Sequence, residues 1–423
     1  MILKARYVIP VCRACAAAGG PVIENGVVEV RESRIVDVHR ASAREGGTTV
    51  VDCGDSILLP GFVNAHTHLE LTHLAGKVPP VPGAGPADFA DWLRRLLCEM
   101  RKTRDDPEAV AASVNDGAAR CLQAGVTTVG DVTRLPHLTR PVLRDGRLRV
   151  VSFGEVIAIG ALRDALRARL EAAVDTAHDT DRLRAAVSPH APYTCDRWAI
   201  RACKQAAAES EMRLCMHLAE TPEEAVCVLT GSGPLVDFLR SVGVWDESVR
   251  PPGLRPMEYV DELGLLSART LFAHVNYVTD AELERLARSG AHVAYCPRTH
   301  AAFDHAPHRF REMLAAGVNV CIGTDSLASN PSLSILDELR YLRSTFNDVD
   351  DAALIEMGTL RGAEALGMGD TVGSLEPGKQ ADVVVVPLQP GGDRDPLANL
   401  LRSALTPAQV YVAGQRAGPD GGG

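Results

Sequence analysis

Ile57-Leu-Leu-Pro-Gly-Phe-Val-Asn-Ala-His66-Thr-His68 is an apolar run that ends in two histidines one residue apart. Side chains alternate along a strand, so His66 and His68 point to one side and can bind one ion. Alone, a His-x-His pair is a weak signal, because paired histidines also occur on surfaces and in structural roles. Its weight comes from the rest of the chain, where short apolar runs alternate with Ala/Leu/Arg-rich stretches of helical period such as Asp280–Arg288 and Asp350–Leu366.

Eight such runs are read as strands: Ile57–Asn64, Val126–Val132, Leu148–Val156, Leu183–Ser188, Arg213–Leu218, Thr270–Val275, His292–Cys296 and Val318–Thr324. Eight parallel strands with intervening helices predict an α/β fold, a (β/α)8 TIM barrel, whose catalytic residues sit at the carboxyl ends of its strands. The runs end in Asn64-Ala-His-Thr-His, Gly130-Asp, Gly154-Glu155, Ser188-Pro-His190, His217-Leu-Ala-Glu220, His274-Val-Asn, Cys296-Pro-Arg298-Thr-His300 and Gly323-Thr-Asp325. Polar and metal-binding groups therefore collect at one end of the barrel.

Outward from this middle, both chain ends read as short strands with tight turns, for example Gly26-Val-Val-Glu-Val and Ala408-Gln-Val-Tyr-Val. They predict a small β-sandwich built from residues 1–57 and 369–423 around a barrel at 58–368. The Pro- and Gly-rich loop Thr72–Asp88 is read as a substrate lid, and Gly231–Met257 as the opposite wall.

The composition, 46% hydrophobic and 23% charged, is that of a globular chain able to bury a large core. A formal charge of −10 without basic blocks argues against nucleic acid as a partner. Eleven scattered cysteines, an odd number, read as buried reduced thiols. No run approaches the roughly 18–20 apolar residues of a membrane span, and the N-terminus lacks an uninterrupted apolar core for a signal peptide. A cytoplasmic enzyme acting on a small molecule is expected, with a homodimer left open.

His217, His274 and Asp325 recur at later strand ends in the rhythm that His66 and His68 begin. Imidazoles with one carboxylate suit a borderline divalent ion, Zn2+ first, with Fe2+ or Mn2+ as alternatives. The segments Leu59-Pro-Gly-Phe-Val-Asn-Ala-His-Thr-His68, His217-Leu-Ala-Glu220, Ala273-His274 and Gly323-Thr-Asp-Ser-Leu-Ala-Ser329-Asn330 resemble the amidohydrolase superfamily. More narrowly they resemble its cytosine-deaminase-like and chlorohydrolase-like branch. The resemblance implies that His66, His68, His217 and Asp325 hold the ion and that His274 contacts the water or the substrate, its status as a ligand being open. Binuclear members of the superfamily bridge two ions with a carboxylated lysine. This chain has five lysines, none at a strand end, so one ion is expected.

Glu220, three residues after His217, is implied to be the acid/base group that carries a proton to the ring nitrogen and then to the departing amine. The alternative is a solvated glutamate at a helix start, since Thr221-Pro-Glu-Glu is an acidic first turn. With Asp325 orienting the attacking hydroxide and His274 stabilising the adduct, the implied reaction removes an amino group from an aromatic ring as ammonia.

Ser188-Pro-His190-Ala-Pro-Tyr-Thr is similar to the segment that positions substrate in adenosine-type deaminases, which makes His190 a ribose or ring contact, or else a capping histidine. The segment Cys296-Pro-Arg298-Thr-His300-Ala-Ala-Phe-Asp-His305 resembles the aminofutalosine deaminases of the alternative menaquinone route, which act on a 6-aminopurine nucleoside carrying a benzoate. Arg298 would then grip that carboxylate, a structural arginine being the alternative. His300, Ser329, Asn330 and Glu155 are further expected substrate contacts, Glu155 holding either a sugar hydroxyl or a salt bridge. Competing substrates are S-adenosylhomocysteine or methylthioadenosine, guanine and triazines. A noncatalytic scaffold on the same fold is the reading from a different class, and the complete set of ligands with Glu220 speaks against it.

Overall fold

Two sheets carry the chain, and Gly61 is where it passes from one to the other. The computed structural model describes residues 1–12, 22–41, 49–81, 88–103 and 105–417. The first sheet takes strands β1 (Ile2–Val8), β2 (Ile23–Arg31), β3 (Arg34–Arg40), β4 (Val50–Asp52) and β5 (Ser56–Pro60). The second takes β6 (Phe62–Thr67), β7 (Val126–Thr133), β8 (Arg149–Val156), β9 (Leu183–Pro189), β10 (Leu214–Leu218), β11 (Thr270–His274), β12 (His292–Tyr295) and β13 (Asn319–Ile322). The chain then returns to the first sheet with β14 (Val383–Pro387), β15 (Gln409–Val412) and β16 (Gln415–Ala417).

The second sheet is the barrel: its eight strands neighbour one another in chain order and pair in parallel. Every residue of β6, β7 and β8 is buried, as expected of parallel strands covered on both faces. The first sheet joins the two chain ends through β14, which pairs antiparallel with β5 and sets Val385 opposite Leu58.

The expected strand Ile57–Asn64 is thus two strands in two sheets. The break falls at Gly61, where a Cβ would lie 2.1 Å from Thr127 Oγ1, so only glycine lets the backbone come this close. A buried ion pair fastens the sheets together: Arg149, at the start of β8, donates from Nε to Asp382 Oδ2 at 2.8 Å and from Nη2 to Oδ1 at 3.1 Å. Asp382 lies next to β14, and removing one partner of such a pair typically costs about 3–5 kcal/mol.

The barrel closes at the future site. β6 and β13 meet through one parallel bridge, Thr67 to Asp325. The His66 carbonyl accepts from Thr324 N at 3.1 Å and from Asp325 N at 3.0 Å, while Asn64 Nδ2 donates to Thr324 Oγ1 at 2.7 Å.

Above the barrel mouth lie two helical pieces. One, Asp88–Met100, follows the loop read as a lid, of which residues 82–87 lie outside the described residues. Trp92 Nε1 donates to the Val78 carbonyl at 2.8 Å and so pins this helix to the described part of that loop. The other piece is the pair Pro222–Thr230 and Pro234–Ser241, parted by Gly231 at φ 68°. Among the described residues nine cysteines are free, seven of them buried, whereas Cys12 is disulfide-bonded, so the expectation of thiols throughout fails there. No described helix is long and apolar enough to cross a membrane.

Candidate active site

The carboxyl ends of β6, β10, β11 and β13 bring His66, His68, His217, His274 and Asp325 into one cluster. His66 is at its centre, with ring centroids 5.0 Å from His68, 4.9 Å from His217 and 5.4 Å from His274. His68 Nε2 and His217 Nε2 stand 3.4 Å apart. Asp325 Oδ1 lies 3.5 Å from His68 Nε2 and 3.7 Å from His66 Nε2. Four backbones here take left-handed angles without glycine: Ala219 at φ 49°, His274 at 70°, Val275 at 54° and Asp325 at 58°. A β-branched residue in that region is a strained position, and such strain concentrates at functional sites.

The donor set fits a divalent ion. His66 is fully buried, yet neither of its ring nitrogens has a hydrogen-bond partner among the described residues, which is costly unless something else binds there. Burial, together with the neighbouring imidazoles, holds His66 and His274 well below the usual histidine range. Burial and then His190 bring His217 down to about 3. All three rings are neutral at pH 7 and keep a lone pair for a metal. His217 Nδ1 faces the His190 carbonyl at 3.0 Å, which makes Nδ1 the N–H and leaves Nε2 free to ligate. Asp325 Oδ2 accepts from the Ser329 hydroxyl at 2.6 Å, which fixes the carboxylate's rotation. A second candidate set, Glu155, His190 and His217, would draw on the same His217.

Glu220 is buried and lines the cavity rather than standing solvated at a helix start. Its Oε1 lies 3.6 Å from His274 Nε2. Its backbone is held on both sides: the N–H donates to Glu224 Oε2 and the carbonyl accepts from Asn276 Nδ2, both at 2.9 Å. Burial first, then the charges of Asp325 and Glu224, push the Glu220 carboxyl well above the usual range. That direction favours the protonated form, the one able to donate a proton.

Beyond this floor the cavity is lined by the polar side chains of Glu155, His190 and Arg134 and by the apolar ones of Phe89, Trp92, Leu96, Phe238, Leu239 and Val242. Glu155 Oε1 is 3.8 Å from His190 Nε2, and burial, followed by the charge of Arg134, lowers His190 to about 3.

Four residues expected at the substrate are not among those lining the cavity. Arg298 Nε donates to Glu338 Oε1 at 2.7 Å, and its Nη2 donates to Asn330 Oδ1 at 2.8 Å and Ser332 Oγ at 2.7 Å. Its guanidinium is thus turned toward a fully buried carboxylate of the helix Ile335–Thr345. Asn330 Nδ2 donates to the Thr324 carbonyl and to Glu338, each at 2.8 Å. His300 Nε2 faces the Ala306 carbonyl at 2.9 Å, and Ser329 serves Asp325 as described.

Sequence reading passed over Arg134, Glu70 and the Trp92 helix. Arg134 was one strand position from notice: β7 runs to Thr133, one residue further than expected.

The model of the Amidohydrolase family matches residues 57–417. The chain belongs to the amidohydrolase family. Relatives within it include the 5-methylthioadenosine/S-adenosylhomocysteine deaminase of Nitratidesulfovibrio vulgaris, 31% identical over 385 residues, or 87% of this chain and 80% of that one. The 5′-deoxyadenosine deaminase of Methanothermobacter thermautotrophicus is 29% identical and covers 87% of this chain and 82% of its own. Among solved structures, an adenosine deaminase from Xanthomonas campestris with bound zinc superposes with a TM-score of 0.82 at 27% identity, over 98% of this chain and 92% of that one. Helicobacter pylori aminofutalosine deaminase in complex with methylthio-coformycin shares the fold, with a TM-score of 0.84 at 23% identity over 98% and 99% of the two chains. As an amidohydrolase with deaminases for relatives, the chain is a hydrolase acting on C–N bonds.

Proposed function

We propose that this amidohydrolase deaminates a 6-aminopurine nucleoside altered on its ribose side, such as aminodeoxyfutalosine, exchanging the ring amino group for a carbonyl and releasing ammonia. The observation that carries the reading is Glu220: a buried carboxyl lining the cavity, 3.6 Å from His274 Nε2 and within the histidine and aspartate cluster. The names of the two relatives given above, both adenosine-type deaminases, support the substrate class.

One divalent ion, zinc first, would be held by His66, His68, His217 and Asp325. Such an ion lowers the pKa of water toward neutrality. Glu220 protonates the ring nitrogen as the carbon is attacked, takes a proton from the nucleophile and passes it to the amine. Asp325, fixed by Ser329, accepts a hydrogen bond from the attacking oxygen, while His274 Nε2 faces the adduct. Glu155 and His190, next outward, suit ribose hydroxyls because neither side chain is saturated by protein partners. Methylthioadenosine and S-adenosylhomocysteine are the alternative substrates, with the same chemistry and a different ribose-side group.

The test is ammonia release across adenosine, methylthioadenosine, S-adenosylhomocysteine, aminodeoxyfutalosine and guanine, run with Glu220→Gln in parallel. Turnover of at least one adenosine-type nucleoside is expected. Glu220→Gln should retain its metal by elemental analysis and lose about 10²–10⁴ in kcat. Activity on guanine alone, or near-full turnover by the variant, would overturn the reading.

A further inference from the structure

The backbone that carries His274 does not hold its shape unaided. His274 and Val275 both take left-handed angles, at φ 70° and 54°, and a β-branched side chain is disfavoured there. The peptide unit between them is gripped from two sides. Its N–H, that of Val275, donates to the Leu218 carbonyl at the end of β10 at 3.0 Å. Its carbonyl, that of His274, accepts from His308 Nε2 at 2.9 Å. The first bond continues the barrel ladder. The second comes from a side chain thirty-four residues further along the chain.

His308 lies beyond the helix Pro297–Ala302, and the chain around it is tied down on both sides. The Ala306 carbonyl faces His300 Nε2 at 2.9 Å, and Arg309 Nη1 donates to the Val278 carbonyl at 3.2 Å. The His308 ring is buried and stacks on Tyr295, with centroids 3.9 Å apart and planes at 20°. Tyr295 stacks in turn on Phe310. A phenylalanine would fill this place in the stack and bring no polar atom to bury.

What the imidazole adds is one hydrogen bond. Its Nδ1 is buried with no partner among the described residues, which is a cost. Its Nε2 spends the ring's proton on the His274 carbonyl, since a carbonyl can only accept. Without that donor the carbonyl loses its side-chain partner, and Val275 is relieved by turning back toward negative φ. The turn carries an imidazole whose place matters: His274 Nε2 stands 3.6 Å from Glu220 Oε1, and both residues line the cavity. His308 itself is not among the lining residues.

We propose that His308 is a positioning residue for the reaction. Through the His274 carbonyl it keeps the His274–Val275 peptide in its left-handed form, and so keeps the His274 imidazole beside Glu220. The proposal rests on the deaminase reading for what His274 does to the substrate, and on geometry alone for what His308 does to His274.

The experiment uses His308→Phe, which keeps a ring in the stack and removes the donor, and His308→Gln, whose amide can supply a donor again. Circular dichroism and elemental analysis check that fold and metal content match wild type. With the adenosine-type nucleoside that wild type turns over best, His308→Phe should lower kcat about tenfold to a hundredfold and leave KM within about threefold, as expected when a reacting group is misplaced. His308→Gln should recover most of the loss. The deciding background is Val275→Gly, because glycine takes the left-handed angle without strain. There the clamp has less to hold, and His308→Phe should cost about threefold or less, a coupling that independent sites do not show. The same loss in both backgrounds, a raised KM with unchanged kcat, or a glutamine variant no better than phenylalanine would overturn the proposal and leave His308 as packing. His308→Leu repeats the series should phenylalanine disturb the fold. A second arm needs no substrate: crystal structures of wild type and His308→Phe. Val275 at negative φ or a His274 ring drawn away from Glu220 in the variant supports the proposal, and an unchanged turn and ring overturn it. Should no nucleoside release ammonia, the aminopurine reading falls and this arm still decides His308.

Discussion

The floor of the cavity and its apolar wall are made of different material. His66, His68, His217, His274 and Asp325 stand at or just past the ends of barrel strands, whose neighbours fix them through a parallel ladder. Phe89, Trp92, Leu96, Phe238, Leu239 and Val242 stand on two helical pieces, Asp88–Met100 and Pro234–Ser241 with the residue after it, carried by loops. Ladder positions cannot shift without breaking the barrel, whereas a loop helix can exchange every side chain it presents. The chemistry is therefore tied to the fold and the choice of substrate is not.

The sharpest way to break this contrast is His66→Ala. Removing the central imidazole should abolish ion retention in elemental analysis and reduce turnover by more than the 10²–10⁴ expected for Glu220→Gln, with circular dichroism unchanged. A variant that keeps both ion and turnover would mean the cluster is not the reaction centre. A smaller effect is expected across the cavity. Trp92→Ala should raise KM for a nucleoside with an apolar tail by about tenfold to a hundredfold, given the roughly 1.5–3 kcal/mol of a fully buried large side chain, and should change kcat little. A large fall in kcat with unchanged KM would show that the helix-borne wall takes part in the chemistry.

The smallest effect asks whether the strand-borne region is constrained one layer below the site. Asp131, on β7, is buried and accepts from Leu69 N at 2.8 Å, and burial above all pushes its carboxyl up to about 8. In the unfolded chain it titrates near 3.9. The folded state therefore holds a proton that the unfolded state has released, and stability falls as pH rises from about 4 through 8, by at most about 1.4 kcal/mol per unit. Asp131→Asn keeps an acceptor for Leu69 and has no proton to lose. Urea unfolding between pH 5 and 8 should show a shallower decline for the variant, and parallel declines would rule out Asp131 as the source.

What could be read in advance follows the same division. The barrel and the gathering of the cluster were legible because a strand's two-residue period and the strand-end rule convert sequence position directly into place, whereas the reading of Glu220 came from the family resemblance. Arg298 also ends a strand, but Pro297–Ala302 turns into a helix there. That turn delivers its side chain to Glu338, forty residues on, a partner that only the tertiary fold reveals. His300 and Asn330 were captured by backbone carbonyls in the same way. The break at Pro60-Gly61 was visible as a turn signal and was overridden by the apolar residues on both sides of it. The cavity-facing sides of Asp88–Met100 and Pro234–Ser241 had no such rule, since a helix with one apolar face looks alike whether it meets a core or a ligand.

The seam where β6 meets β13 has a consequence for how the protein comes into being. Asn64 and Thr324 are bonded across 260 residues of chain, and the histidines of the first barrel strand wait for an aspartate that leaves the ribosome long after them. A nascent chain can fold several βα units and hold His66, His68 and even His217 while still lacking both the carboxylate and the backbone donors that fix its first strand. Loop-closure entropy makes this joining of distant segments a late event in folding. Catalytic competence is thus not accumulated gradually along the chain. It arrives with the eighth barrel strand, so that no chain stopped short of Asp325 carries the finished reaction centre.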